Sequence, residues 1–185
     1  MTKRLFIAIP LPPTISTPLA RWCSTQQLNH TRCIPAENLH ITLQFLGAVK
    51  EQIIPDIVQC CQAIVAQWSK FMLVFKHVTC APPQDPRHMI WAEFYNNDMY
   101  QALGQNIKAS INQLLAAHGH VVQPSHEQTI PHVTVARCDK AFRPLAAPLL
   151  QPKIDDLMVA CVQLMESRLN TNGSVYTVLE TFGLQ

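Results

Sequence analysis

Leu39-His40-Ile41-Thr42-Leu43-Gln44-Phe45-Leu46-Gly47 alternates as a β-strand should. Ile41, Leu43 and Phe45 point to one side, His40, Thr42 and Gln44 to the other, and Gly47 closes the run. A second segment, Pro131-His132-Val133-Thr134-Val135, repeats the pattern of a histidine and a threonine two residues apart on an apolar strand. Residues i and i+2 share a face, so each histidine projects beside its threonine. Each half of the chain also carries a strand–long helix–strand unit. Two similar lobes facing one another would bring the two histidines to one cleft.

Outward from these strands the reading is an α+β fold, mostly antiparallel, with outer helices around a central cleft. Leu5 to Ile9 reads as a short strand ended by Pro10, Pro12 and Pro13, and about Ile15 to Leu28 as a helix. Pro55 suits a first helical turn, and Ile57, Cys61, Ile64, Val65 and Trp68 form a stripe at helical spacing. Phe71 to Val78 and Met89 to Phe94 read as strands. A long helix is predicted from Asp98 to His118, with Asn97 as N-cap, Gly119 as stop, and a stripe of Met99, Leu103, Ile107, Ile111, Leu114 and Leu115. His132 to Cys138 is a strand. A hairpin of Leu157–Ser167 and Ser174–Phe182 closes the chain around Asn172-Gly173, a type I′ signal. No linker or charge run divides residues 1–185, so a single domain with two pseudo-symmetric lobes is expected.

Composition narrows the function. Apolar residues make up 48% and charged ones 14% of the 185 residues, which excludes disorder and allows a large core. Fourteen Lys and Arg against 12 Asp and Glu give +2, too little to coat long nucleic acid by charge alone. A short anionic ligand at one site is compatible with it. The apolar stretch after Arg4 is too short for a secretory signal, and no run suits a membrane span. The seven cysteines are odd in number and never spaced C-x-x-C, so reduced thiols in the cytoplasm are expected.

Two imidazoles and two hydroxyls aimed at one anion form a phosphodiester-cleaving set. Near neutral pH one imidazole can be a base while the other is an acid, and hydroxyls can donate to phosphoryl oxygens as charge grows on them. The spacing alone does not select the pair, because His77-Val78-Thr79 is a third copy. Sequence physics leaves three candidates for two places.

The chain resembles the two-histidine (2H) phosphoesterase superfamily, in particular the RNA 2′,3′-cyclic phosphodiesterases historically called 2′-5′ RNA ligases. The matching pieces run in the family's order: Arg4 to Ile9, Pro35 to Gly47, Ile90-Trp91, Pro131 to Arg137, Glu166 to Leu169, then Gly173, Tyr176 and Phe182. The Asn-Leu-His-x-Thr-Leu-x-Phe-Leu-Gly and Pro-His-x-Thr-x-Ala-Arg blocks are the specific ones. The resemblance implies hydrolysis of RNA 2′,3′-cyclic phosphate ends to 2′-phosphates, with His40 as proton donor to the leaving O3′ and His132 as acceptor from water. Thr42 and Thr134 are then phosphate-binding companions, and His77 is structural.

The implied partners are RNA ends bearing the cyclic phosphate, tRNA fragments among them, with no membrane, no metal and no cofactor, and the chain acting as a monomer. The alternatives are a 2′-5′ end-joining or RNA-end binding module, or a phosphodiesterase for 2′-5′ oligonucleotides or small cyclic nucleotides. Val78-Thr79-Cys80-Ala81 and Glu127-Gln128-Thr129-Ile130 depart from the family pattern and bear on substrate preference.

Other residues divide between function and packing. Arg137 can hold phosphate bidentately, although simple alternation places it on the Val133/Val135 face. Phe45 can stack on a nucleobase, although its alternation phase says core. His118-Gly119-His120 looks like a metal clip but reads better as a helix-end cap. Cys60-Cys61, Trp91 and Tyr176 read as packing residues.

Overall fold

The prolines at 10, 12 and 13 end the first apolar run in the structure as well, separating β1 (Thr2–Pro10) from α1 (Pro13–Thr25). The computed structural model describes every residue except 27, 83–88, 121–129, 143–148 and 172. The chain continues through β2 (Thr31–Cys33), a 3₁₀ turn (Ala36–Asn38), β3 (His40–Lys50), α2 (Ile54–Val65), β4 (Phe71–Leu73), β5 (Phe75–Ala81) and β6 (Met89–Phe94). After these come α3 (Asp98–Ala117), β7 (His132–Cys138), β8 (Leu157–Val159), β9 (Cys161–Asn170) and β10 (Gly173–Gly183).

One antiparallel sheet runs in the order β10-β9-β1-β3-β7-β6-β5, with β2 beside β7. The expected α+β class holds. Two halves of this sheet meet where β3 pairs with β7, through the partners Ile41 and Val133. Each is the middle residue of a His-x-Thr triplet. The antiparallel sense therefore runs His40 toward Thr134 and Thr42 toward His132.

The helices bury their apolar stripes against one sheet face. Leu5, Ile7 and Ile9 of β1, Leu19 of α1, Ile57 and Cys61 of α2, and Leu103, Ile107 and Ile111 of α3 share one continuous core. The opposite face carries a smaller cluster of Phe6, Ala8 and Met165 with Tyr176 packed on it, and this is the face that holds the cleft. Asn97 caps α3 by accepting the Tyr100 N–H at 3.2 Å, as its sequence position predicts.

Several boundaries differ from expectation. α1 stops at Thr25, before Leu28, and Trp68 lies past the end of α2. The segment Phe71–Val78 is two strands, because β4 leaves the main sheet to pair with β8. In α3, Met99 is turned to solvent while Tyr100 is buried. In the terminal hairpin, Asn172 lies outside the described residues. The cysteines also differ from the reduced set expected: Cys23 and Cys33 form a disulfide joining α1 to β2. Their separation carried no pairing signal; the fold creates it by returning β2 alongside α1.

Candidate active site

His40 and His132 open β3 and β7, and each ring is fixed the same way. His40 donates from Nδ1 to the Asn38 carbonyl at 2.7 Å, and His132 from Nδ1 to the Ile130 carbonyl at 2.8 Å. A carbonyl can only accept, so both rings carry their proton on Nδ1 when neutral. Nε2 is then the atom left for chemistry, and that of His40 lies 3.1 Å from Thr42 Oγ1. An aromatic side chain from the neighbouring strand supports each ring. Trp91 stacks on His132 with centroids 3.7 Å apart, and Phe6 packs on His40 at 4.9 Å. Tyr176 closes the edge of His40 at 5.3 Å.

A single groove is lined by His40, Thr42, Phe45, His132, Thr134 and Arg137, with Ile34, Asn38 and Tyr176 completing its wall. Simple alternation could not have put Phe45 and Arg137 there. In β3 the partner of Ala8 is Thr42 and that of Ile7 is Gln44, so Leu43 is an extra, bulged residue. In β7 Trp91 pairs with Thr134 and Ile90 with Ala136, so Val135 is the extra one.

A bulge shifts the side-chain phase by one position. Gln44 therefore turns inward, 3% exposed, where its Nε2 donates to Asn112 Oδ1 on α3. Phe45 turns outward, 52% exposed. Val135 and Ala136 are both buried, and Arg137 rejoins the face of His132 and Thr134. The same device, one residue past each threonine, adds a stacking surface to one motif and a cation to the other.

The 2′-5′ RNA ligase superfamily model matches residues 11–167, most of the chain and both motif strands. The chain belongs to this superfamily. Proteins named RNA 2′,3′-cyclic phosphodiesterase are similar to it across their length. That of Thermus thermophilus is 27% identical, covering 98% of this chain and 90% of the relative. That of Methanocaldococcus jannaschii is 24% identical, covering 96% and 98%. Among solved structures, a Thermus thermophilus protein superposes with a TM-score of 0.82 at 24% identity over 98% of this chain and 97% of that one. Apo LigT of E. coli superposes with 0.78 at 22% identity, covering 100% and 98%. The 2H phosphoesterase fold of the superfamily is therefore the fold of this chain.

Within this superfamily fold the two rings sit in unequal surroundings. Burial lowers the pKa of both imidazoles, and each main-chain hydrogen bond partly offsets it. His40 is lowered further by the positive charges of His132 and Arg137, whereas the Glu93 carboxylate raises His132. Glu93 is buried, stands opposite both His132 and His77 in the sheet, and contacts His77 Nε2 at 3.2 Å and Lys76 Nζ at 3.6 Å. Glu93→Gln should lower the His132 pKa and move the acidic limb of the kcat/KM profile to lower pH. A profile unmoved on both limbs would remove Glu93 from the proton accounting.

Sequence reasoning passed over Glu93, although a lone carboxylate inside the apolar run Met89–Phe94 was a usable signal. It also gave Trp91 and Tyr176 to packing, whereas both touch motif histidines. His118 and His120, read as a helix-end cap and not as a metal clip, take separate partners. His118 contacts Asp56 of α2 at 3.0 Å, and His120 lies 3.3 Å from the Leu46 carbonyl. The segment 127–129 lies outside the described residues; Val78–Ala81 forms most of β5, away from the groove wall.

Proposed function

We propose that this protein hydrolyses RNA 2′,3′-cyclic phosphate ends to 2′-phosphates without a metal. The observation supporting this most is the groove that gathers two Nδ1-anchored imidazoles, two threonine hydroxyls and one arginine. The names of the similar proteins point to the same reaction.

In the reaction, Nε2 of His132 takes a proton from water as its oxygen bonds to phosphorus. The P–O3′ bond breaks, and Nε2–H of His40 gives its proton to O3′. The products are a 2′-phosphomonoester and a free 3′-hydroxyl. Thr42 and Thr134 donate to the non-bridging oxygens, Arg137 offsets their charge, and Phe45 stacks on the base.

The unequal surroundings suit this division. Glu93 stabilises the imidazolium as it forms on His132, while Arg137 and His132 make His40 a stronger acid. Glu93 also favours a resting proton on His132, so a second reading exchanges the two roles. The negative charge of a bound cyclic phosphate counters Arg137 and lets His40 hold its proton. Hydrolysis dominates over end joining because water is abundant and a second RNA end is scarce.

The enzyme acts as a monomer on RNA ends, tRNA fragments among them, with residues 1–185 working as one domain of two lobes. No helix of the described residues is long and apolar enough to cross a membrane. A cytoplasmic location is part of this proposal, and there the Cys23–Cys33 pair would face a reducing thiol pool.

The test is an oligoribonucleotide ending in a 2′,3′-cyclic phosphate, assayed with and without EDTA. Full activity in chelator and a 2′-phosphate product are expected. The catalytic tasks a metal would perform fall to the histidines and hydroxyls, and among the described residues no group of three or more His, Cys, Asp or Glu side chains could hold an ion. Loss of activity in EDTA with recovery on adding zinc or manganese would overturn the metal-free mechanism; a 3′-phosphate product would overturn the assignment of the leaving oxygen.

A further inference from the structure

Beyond the wall of Phe45, Arg137 and Tyr176 the cleft opens into a second groove, floored by Phe6 and Gly47 and edged by Arg4, Ser167, Leu169 and Ser174. It offers about 270 Å³, at the lower end of the roughly 300–1,000 Å³ typical of small-ligand sites. The strand pattern explains its lining. Arg4 shares the cleft face of β1 with Phe6, and across β9 and β10 Ser167 stands opposite Tyr176 and Leu169 opposite Ser174.

Chemically the groove is two guanidinium groups, three hydroxyls (Ser167, Ser174 and Tyr176) and an apolar ledge. Leu169 is 74% exposed, and among the described residues no carboxylate lines the groove. Gly47 has φ +74° and leaves open space where a Cβ would stand, so a ligand can lie close to the backbone. An anion flanked by a flat apolar group fits this lining; a carboxylate-rich or purely apolar ligand does not.

The three shared residues make the second groove continuous with the first. The geometry points to a subsite for the nucleotide preceding the cyclic-phosphate terminus, with Arg4 and the two serines taking the internucleotide phosphodiester and Leu169 supporting the base. This inference rests on the proposed reaction. It makes the substrate an oligonucleotide end and Arg4 a specificity-determining residue, with Arg137 standing between the reacting phosphate and the next one along the chain.

The experiment compares 2′,3′-cyclic AMP with the dinucleotide ApA ending in a 2′,3′-cyclic phosphate, on wild type and Arg4→Ala. The dinucleotide should have a kcat/KM at least about tenfold higher on wild type, the scale of one charge-assisted hydrogen bond. Arg4→Ala should remove most of that advantage while leaving cyclic AMP hydrolysis within about twofold, which also shows that the variant is folded. A dinucleotide with a neutral methylphosphonate linkage, needing no mutation, should lose the same factor on wild type and be indifferent to Arg4→Ala. Equal kcat/KM for mono- and dinucleotide on wild type, an equal loss on both substrates in Arg4→Ala, or full activity on the methylphosphonate would overturn the subsite and leave the reaction standing. Hydrolysis of neither substrate by wild type would overturn the reaction and the subsite with it.

Discussion

Alanine at either His40 or His132 is expected to lower kcat by roughly 10²–10⁴, the scale of a lost general acid or base. The double mutant should fall little below the worse single one, because in the proposed reaction both rings serve one proton-transfer sequence and the second loss removes what the first has already disabled. Thr42→Ala and Thr134→Ala should cost less, since each removes one of several donors to the phosphoryl oxygens. His77→Ala should stay within a few-fold of wild type: His77 touches Glu93 but does not line the groove. His132 is buried against Trp91, so its removal leaves a void, and thermal unfolding must accompany the rate to separate chemistry from stability. Single-turnover rates with a cyclic-phosphate-ended oligonucleotide decide the ranking. Turnover near wild type in either motif mutant, or a large loss in His77→Ala, would reverse the choice among the three His-x-Thr copies.

That choice shows where sequence reading reaches its limit. Apolar spacing was enough to place α2 and α3 and most of their buried stripes, because helix burial follows a fixed period. Asn97 was legible as a cap because the chemistry of capping is local. The groove face of β3 and β7 was not legible by the same means. Alternation assigns Gln44 outward and Phe45 inward, and the Leu43 bulge inverts both; the Val135 bulge does the same for Arg137. A bulge is set by pairing with a neighbouring strand, and nothing in a single strand's sequence announces it. The Cys23–Cys33 pair and the contact of Glu93 with His77 depend likewise on which strands lie side by side. Motif resemblance supplied what periodicity could not by selecting His40 and His132 over His77, while side-chain chemistry alone offered Arg137 and Phe45 as candidates against their alternation phase.

The division of labour between the two histidines is open to a direct test. Burial lowers both imidazoles, and the proposed reaction needs one neutral and one protonated. The kcat/KM profile, which reports the free enzyme, should therefore be a bell with its maximum below about pH 6.5, the ordinary imidazole value. The kcat profile reports the complex. There the phosphate anion supports both imidazolium forms, so its maximum should lie at higher pH. The two apparent pKa values belong to the coupled pair and not to named residues.

Removing the base abolishes the acidic limb, because no group is left that protonation can switch off. Removing the acid abolishes the alkaline limb. With His132 as base and His40 as acid, His132→Ala should lose the first and His40→Ala the second. A nitrophenyl phosphodiester sharpens the test, since its leaving oxygen needs no proton. It should restore a large part of the roughly 10²–10⁴ lost in His40→Ala and almost none of that lost in His132→Ala. Restoration of His132→Ala instead would exchange the two roles, as the resting proton favoured by Glu93 suggests. Restoration of neither would mean that the donated proton is not what makes the missing ring costly, and the acid–base assignment would have to be abandoned for both.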